Sequence, residues 1–241
     1  MSFCAILLTT DGHRVLSKTM RSGGAQHIPR PASARIIDQN PWKHLDSSSL
    51  DSIDHVARAL AAFRPNPQLQ QPEPPARPSA VLIGLFPSIR GVEVILTRRS
   101  QLLTSHRGEI SFPGGRLDNG ETVIDAALRE TEEEIGISRN VPIVIGELSG
   151  MATLISNSHI VPIVARFNSE PVMQPMNGEV DRVFSVPLRE LTRTDTYSQE
   201  HWTMPGREFQ IGFFYLDDET IWGATARMLF QVMMLTVKHE N

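Results

Sequence analysis

The stretch 112–137 constrains the fold most strongly, because it predicts a tight glycine turn followed by one amphipathic helix. The turn is Pro113-Gly114-Gly115, where glycine permits close backbone approaches that other residues resist. The helix repeats apolar or β-branched side chains at the spacing of a single buried face, at Ile124, Ala127, Leu128, Thr131 and Ile135. Gly136 stands where a helix-ending glycine is commonest. The stretch therefore predicts a helix that buries one face in the core.

The same helix carries three acids, Glu130, Glu133 and Glu134, whose spacing of three and four places them on one strip. The strip lies about 115° from the apolar face, so all three acids are expected to be exposed. Like charges four apart cost roughly 0.2–0.5 kcal/mol per pair, and acids in a last turn oppose the helix dipole. A solvated acidic face is the ordinary interpretation. The glycine turn beside the acids favours a metal site instead, and oxygen ligands suit Mg²⁺ or Mn²⁺.

The order of these residues resembles the Nudix box of hydrolases that cleave a nucleoside diphosphate linked to another moiety. The matching positions are Gly115, Glu121, Arg129, Glu130, Glu133, Glu134, Gly136 and Ile137. Thr131 departs from the pattern, since an aliphatic residue is commoner there. The resemblance implies that the Gly115 carbonyl, Glu130, Glu133 and Glu134 hold the metal. It includes Arg129 among the catalytic residues, and the position of Arg129 lets it reach back to Glu121. Two acids, Glu133 and the later Glu179, are candidates for the general base.

Composition sets broader limits on the chain. At 241 residues, with 40% hydrophobic and 21% charged, it can form one sizeable domain with an extension. A net charge of −4 gives no general attraction for nucleic acid or an anionic membrane. The single cysteine, Cys4, fits a reducing compartment, and the apolar run 3–8 is too short to span a bilayer. We expect a cytoplasmic protein that acts on a small nucleoside diphosphate derivative, with a homodimer left open.

The composition and hydrophobic pattern divide the chain into three parts. Residues 1–40 predict an extension of uncertain order, although Asp11-Gly12 is also a hairpin signal. Residues 41–78 predict a helix over 49–63, capped by Ser49 or Asp51, and then a strap whose six prolines in 64–78 exclude regular structure. Residues 79–237 predict the Nudix domain.

Within 79–237, β-branched and apolar runs predict strands over 80–86, 92–97, 141–148, 159–167, 183–186 and 209–215. A short helix is predicted over 187–191, and a final helix over 222–237 is predicted to be capped by the acids before it. This order indicates an α/β fold in which helices cover both faces of a mixed sheet. The Nudix resemblance implies the same α/β/α sandwich.

Other chemistries lack their residues. Gly115 to Gly120 has the glycine spacing of a phosphate-binding loop, but Glu121 replaces the lysine that such a loop needs. The predicted domain has no Gly-x-Ser-x-Gly and no cysteine, so a serine or thiol nucleophile is missing. The eight histidines form no ligand-spaced pair, and only His106 lies near the box.

Residues around the box resemble coenzyme A diphosphatases within the family. The matching segments are 95–100, Leu103, His106, Gly108, 112–115, Glu179, 183–188 and 221–227. Two departures are Thr104, where arginine is usual, and the lack of an extra residue that several relatives carry in the box. Arg98 and the predicted substrate-binding residues Arg99, Arg107, Arg116 and His106 could receive a polyanion, although an ordinary solvated loop would also carry such arginines.

The resemblance therefore implies hydrolysis of coenzyme A or acyl-CoA to 4′-phosphopantetheine and adenosine 3′,5′-bisphosphate. ADP-ribose or a nucleotide sugar is the alternative substrate. A Nudix-fold sensor that binds a nucleotide without turnover is the third hypothesis.

Overall fold

The computed structural model describes residues 20–37, 41–42, 45–70, 76–153, 157–204 and 206–239. Cys4, the run 3–8 and the Asp11-Gly12 hairpin signal lie outside these residues. The strands are β1 Arg35–Ile37, β2 Leu45–Asp46, β3 Arg77–Ser88, β4 Gly91–Arg99, β5 Ile110–Ser111, β6 Gly114–Arg116, β7 Ile143–Glu147, β8 Met151–Ala152, β9 Ser158–Arg166, β10 Val180–Pro187, β11 Tyr197–Met204, β12 Arg207–Tyr215, β13 Thr220–Trp222 and β14 Lys238–His239. The helices are α1 Ile53–Ala62, α2 Val123–Ile135 and α3 Gly223–Thr236, with 3-10 turns at Ser47–Asp51, Pro67–Gln70 and Leu188–Thr192. In the part of the chain that is described, no helix is long and apolar enough to cross a membrane.

The central sheet has the strand order β10-β4-β3-β9-β7, and the short strands β5, β6 and β8 extend it. β3 runs parallel to β9 and antiparallel to β4 and β6, so the sheet is mixed, as predicted. Side chains of β3 alternate between its two faces, as the pleat requires. Ala80 and Leu82 pack with Ala126 and Ala127 of α2, whereas the odd-numbered residues of β3 join the core formed with α1 and α3. The predicted α/β/α sandwich is confirmed.

A second sheet, with the order β1-β11-β12-β13, was largely missed by the sequence patterns. They predicted β12 but not β1, β11 or β13. An aromatic cluster of Trp202, Phe213 and Trp222 lies on this sheet, with ring centroids 6.2–6.4 Å apart. The N-terminal residues pack on the cluster through Ile28 and Ala34. The division of the chain at residues 40 and 78 stays a prediction, and the structure adds that 20–37 contact the later strands.

Arginines fix the N-terminal residues to the second sheet. Arg30 donates to Glu200 at 2.8 Å, and its guanidinium lies 5.0 Å from the ring centroid of Phe213. Arg21 pairs with Asp217 and Glu190. Since β1 also pairs with β11, this segment is held by both main-chain and side-chain contacts.

The predicted helix over 49–63 is divided at Ser52. Residues before Ser52 form the 3-10 turn, and the Ser52 hydroxyl accepts from the His55 amide at 3.3 Å, so Ser52 caps α1 in place of Ser49 or Asp51. The Ser49 hydroxyl is buried and donates to the Thr236 carbonyl at 3.1 Å. In the strap, Asn66 accepts from the Gln68 amide at the start of a 3-10 turn, so the prolines did not exclude all regular structure.

The prediction that acids cap the last helix was wrong. No side chain caps α3, whose N-cap residue is Trp222. The acids before it bind arginines instead: Asp217 binds Arg21, Asp218 binds Arg182, and Glu219 binds both Arg98 and Arg182.

Candidate active site

Two glycines let strand β6 lie between β3 and α2. Gly114 has φ +155°, and a Cβ there would lie 2.3 Å from the Ala80 carbonyl oxygen. A Cβ on Gly115 would lie 2.3 Å from the Glu130 Oε1. The predicted tight turn at 113–115 is thus the start of a strand that pairs with β3. Glycine is required at position 114 because its φ is positive and a Cβ there would meet the backbone of β3.

The termini of α2 follow from local sequence. The Thr122 hydroxyl accepts from the Asp125 amide at 3.1 Å and caps the first turn. At the other end Gly136 adopts a left-handed conformation, φ +76°, and its amide bonds the Glu132 carbonyl. The predicted helix and its glycine end are confirmed.

Glu134 corrects the prediction of one exposed acidic strip. Glu134 was predicted to be exposed but is only 4% exposed, whereas Ile124 was predicted to be buried but is 40% exposed. The Glu134 carboxylate faces β6 and accepts from the Gly114 amide at 3.2 Å. Burial raises the pKa of Glu134 to about 7, and the charges of Glu130 and Glu179 add to that shift. Because β6 packs against the last turns of α2, the helix buries a face that its own periodicity does not reveal.

Arg129 organises the remaining acids. Its guanidinium donates to Glu121 at 2.9 and 3.0 Å, to Glu130 at 2.9 Å and to Glu133 at 3.1 Å. It also donates to the Arg116 carbonyl at 3.0 Å. The predicted tie from Arg129 to Glu121 is present, and the side chain of Arg129 is only 14% exposed. One guanidinium therefore joins α2, β6 and the loop before the helix, and the catalytic role of Arg129 stays a prediction.

Glu130 and Glu179 are electrostatic neighbours, although 49 positions separate them in the sequence. Burial raises the pKa of Glu130, and the charges of Glu133 and Glu179 contribute to the same shift against the opposing effect of Arg129. The fold therefore brings Glu179 close enough for its charge to act on both Glu130 and Glu134.

The loop that carries Glu179 is bonded to the C-terminal end of α2. The Gln174 amide donates to the Ile135 carbonyl at 3.1 Å, and the Met176 amide donates to the Glu134 carbonyl at 3.0 Å. The Asn177 side chain donates to the Glu133 carbonyl at 3.2 Å. These three bonds were not foreseen, because nothing in the spacing of the loop residues indicates which carbonyls they meet.

The predicted substrate-binding residues divide into two groups. The charge of Arg99 acts on both Glu134 and His106, where it opposes the rise in the pKa of each group. The His106 Nδ1 lies 2.9 Å from the Glu109 carboxylate, and that contact raises the pKa of His106. Arg107 and Arg116 are exposed, and Arg107 bonds the Leu103 carbonyl of its own loop. Arg99 and His106 are therefore brought together beside the acids.

Arg98 belongs to another contact altogether. Its Nη1 donates to Glu219 at 2.9 Å, on the side of β4 that faces the second sheet. Arg98 therefore pairs with Glu219, and its guanidinium is not free to bind a polyanion as the sequence suggested. The contact joins residues 121 positions apart, so no local pattern could have indicated it.

The oxygen atoms near Gly115 fit a divalent cation by their chemistry. Two partly or fully buried carboxylates, Glu130 and Glu134, repel each other there, and the Gly115 backbone is held against one of them. Among the described residues, no three His, Cys, Asp or Glu side chains are already arranged around one point as a metal site. Glu130 and Glu133 are instead turned toward Arg129. The ligand set Gly115, Glu130, Glu133 and Glu134 therefore stays a prediction.

Comparison with known proteins defines the family. Residues 76–206, more than half of the chain, match the model of the NUDIX domain. The chain belongs to the Nudix family, whose hydrolases use divalent metal ions. It is a Nudix hydrolase, a diphosphatase that acts on a nucleoside diphosphate-linked substrate.

Relatives in the same family cover much of the chain. Nudix hydrolase 3 of Caenorhabditis elegans is 34% identical over an alignment of 172 residues that covers 65% of this chain and 72% of the relative. The uncharacterized Nudix hydrolase NudL of Photorhabdus laumondii is 33% identical over 182 residues, 72% of this chain and 96% of the relative. Among solved structures, a MutT/nudix family protein from Enterococcus faecalis is 17% identical, with a TM-score of 0.47 over 69% of this chain and 64% of that one.

Proposed function

We propose that this chain hydrolyses the diphosphate bond of coenzyme A or acyl-CoA, with Mg²⁺ or Mn²⁺ as cofactor. The products would be 4′-phosphopantetheine and adenosine 3′,5′-bisphosphate. The observation that supports this substrate is the position of Arg99 beside Glu134 and His106. Within the described ranges the Arg99 guanidinium makes no salt bridge, so a cation is available next to the acids for a phosphate group.

The metal would be held by Glu130, Glu133, Glu134 and the Gly115 carbonyl. When bound, a divalent ion neutralises charge on the diphosphate and lowers the pKa of a water molecule. Glu134 is suited to this role because it is buried, accepts a hydrogen bond from the Gly114 amide, and lies near the charges of Glu130 and Glu179, which Arg99 offsets only in part. Arg129 would keep Glu130 and Glu133 on the same side of α2.

A carboxylate must accept the proton of the attacking water, and we assign that role to Glu179 over Glu133. The Glu133 Oε2 already accepts from Arg129 at 3.1 Å, which leaves less of that carboxylate to accept a proton. Glu179 is exposed and near both Glu130 and Glu134. Its main-chain carbonyl accepts from the Ser100 amide at 2.8 Å, which anchors the residue next to Arg99.

A second substrate class is supported by Thr104. This exposed residue stands where coenzyme A diphosphatases usually have arginine, so one expected contact with a phosphate is missing. ADP-ribose or a nucleotide sugar, which lacks the 3′-phosphate of coenzyme A, needs no such contact.

The substrate is tested by kcat/KM for coenzyme A, 3′-dephospho-coenzyme A and ADP-ribose, with Mg²⁺ and with Mn²⁺ at one ionic strength. A charge-assisted contact contributes roughly 1.5–3 kcal/mol, so coenzyme A should exceed its dephospho form by about ten- to 150-fold. Arg99→Gln should reduce that ratio, while Arg64→Gln, on the distant strap, should leave it unchanged. If ADP-ribose exceeds coenzyme A by tenfold or more, the coenzyme A assignment is wrong. Tight binding of these ligands without turnover would support a sensor.

A further inference from the structure

A buried acid lies in the turn between two strands of the second sheet, β12 and β13. Glu219, 1% exposed, is the last residue of the turn between β12 and β13, where its carbonyl accepts from the Leu216 amide at 2.8 Å. Its Oε1 accepts from two arginines, Arg98 and Arg182, each at 2.9 Å. Its Oε2 accepts from the Gln26 side chain at 2.7 Å. One carboxylate thus joins β4, β10 and the N-terminal segment.

The two arginines are direct partners across the β4–β10 pair. Arg182 is in register with Arg98, and Val180 is in register with Arg99. Like charges directly opposite each other destabilise a pair of strands. The Glu219 carboxylate removes that repulsion because it accepts from both guanidinium groups at once. A buried carboxylate is tolerated when it is paired and hydrogen-bonded in this way.

The pairing is irregular at this point. The register shifts between Val180 and Arg182, which inserts Asp181 as an extra residue. A bulge of this kind re-aims neighbouring side chains. On the active-site side of the bulge, the Ser100 amide donates to the Glu179 carbonyl at 2.8 Å and the Gln101 amide donates to the Asp181 carboxylate at 3.0 Å.

The residues held by Glu219 are therefore sequence neighbours of the residues that face the acids of α2. Arg99 follows Arg98 directly, and Glu179 lies just before the bulge. We propose that Glu219 is a positioning residue, which fixes the bulge between β4 and β10 so that Arg99 and Glu179 point toward Glu134. The expected effect of Glu219 on turnover rests on the proposed function. Its expected effect on the bulge rests only on the geometry of β4 and β10.

Glu219→Gln tests the proposal, with Glu200→Gln as a matched control. Glu200 is also a buried acid of the second sheet, and its carboxylate accepts from Arg30 and from the Trp202 indole. Within the described residues it forms no hydrogen bond with a side chain of β4 or β10. Both variants should lose thermal stability. Glu219→Gln alone should also lower kcat by about ten- to a hundredfold, the scale expected when a catalytic group moves by about 1 Å.

A charge-balance rescue separates positioning from general destabilisation. In the Glu219→Gln background, Arg98 and Arg182 face each other without the carboxylate that bonds both, although Arg182 keeps its contact with Asp218. Adding Arg182→Gln removes that repulsion and should recover part of the lost kcat, while the same substitution in the Glu200→Gln background should give no gain. If kcat falls equally in Glu219→Gln and Glu200→Gln, or if the second substitution gives no recovery, the proposal is wrong.

Hydrogen exchange of the Ser100 and Gln101 amides tests the bulge without any activity. Exchange at both amides should be faster in Glu219→Gln than in wild type and unchanged in Glu200→Gln. Unchanged exchange in Glu219→Gln would overturn the positioning role. If the wild type hydrolyses no diphosphate, the proposed function fails, and the exchange comparison still decides whether Glu219 holds the bulge. If the wild type is active and Glu219→Gln keeps full kcat, only the positioning role fails.

Discussion

Two acids buried in the same central sheet and its flanking helix have opposite surroundings. Glu93 on β4 is 2% exposed and Glu134 on α2 is 4% exposed. Burial alone would raise the pKa of both. For Glu93, hydrogen bonds from Ser185, Ser88 and Arg90 outweigh burial and hold the pKa below its usual value. Glu134 has the Gly114 amide and acquires a pKa of about 7.

The opposite pKa shifts distinguish an acid whose charge is neutralised within the fold, Glu93, from an acid whose charge is available to a ligand, Glu134. Glu93 accepts from Arg90 at 3.1 Å and from Ser185 at 2.6 Å, so the chain itself supplies its counter-charge. Glu134 lies near two other acids, Glu130 and Glu179, and the charge of Arg99 does not offset the effect of burial on its pKa. Burial of a carboxylate is informative only together with the groups that bond it.

The largest expected effect is on turnover. Glu134→Gln should lower kcat by about 10²–10⁴-fold, or about 3–5 kcal/mol of barrier at 1.36 kcal/mol per decade, because it removes a proposed metal ligand. Glu93→Gln should leave kcat near that of wild type. Steady-state assays with saturating metal compare the two variants directly. Near-normal turnover in Glu134→Gln would remove this acid from the metal site.

The second prediction concerns pH in the metal-free protein. The folded pKa of Glu134 is raised, so the folded state keeps a proton that the unfolded state loses above its own pKa of about 4.5. In chelator, wild type should therefore lose stability relative to Glu134→Gln as pH rises from about 4.5 to about 7, by up to about 3 kcal/mol. Urea unfolding at a series of pH values measures the difference. Curves that stay parallel for the two proteins would contradict the raised pKa.

Glu93 should show the opposite sign. Its folded pKa is lowered, so its stabilising contribution is present above the unfolded pKa and is lost as pH falls through the folded pKa. Glu93→Gln should cost stability at neutral pH, toward the lower end of about 1–3 kcal/mol because Arg90 is largely exposed. The difference in stability from wild type should shrink as pH falls from the unfolded pKa of about 4.5 through the lowered folded pKa of Glu93. A gap that widens in acid would show that the pairing with Arg90 and Ser185 does not hold in solution.

The smallest effect sharpens the same comparison. Ser185→Ala removes one donor from Glu93 and should cost about 1 kcal/mol while raising the pKa of Glu93. Carboxyl chemical shifts followed through a titration report that change. Ser198→Ala, on β11 of the second sheet, is the control and should leave the titration of Glu93 unchanged. An unmoved Glu93 titration in Ser185→Ala would assign the lowered pKa to Arg90 and Ser88 alone.

Local features were predictable, and contacts between distant segments were not. The glycine end of α2 and the strands β3, β4 and β9 follow from residues within a few positions of one another, whereas the Thr122 cap was not predicted. The burial of Glu134 depends on β6, which lies against α2 only because Gly114 pairs with Val81, far earlier in the chain. The second sheet depends on β1 and β11, in which polar and apolar residues alternate weakly. The predicted roles of the site residues remain open to the experiments above.

The bonds from loop 174–177 to the last carbonyls of α2 have a consequence for protein engineering. The carbonyls of the last turn of α2 are at the negative end of the helix dipole, close to the site acids. The hydrogen bonds donated by the loop offset part of that negative charge. The loop and the last turn of α2 therefore form one transplantable unit. A loop exchanged alone, to alter substrate preference, would leave the Glu133, Glu134 and Ile135 carbonyls without donors. A graft that includes the helix end keeps both the acids and Glu179 in place.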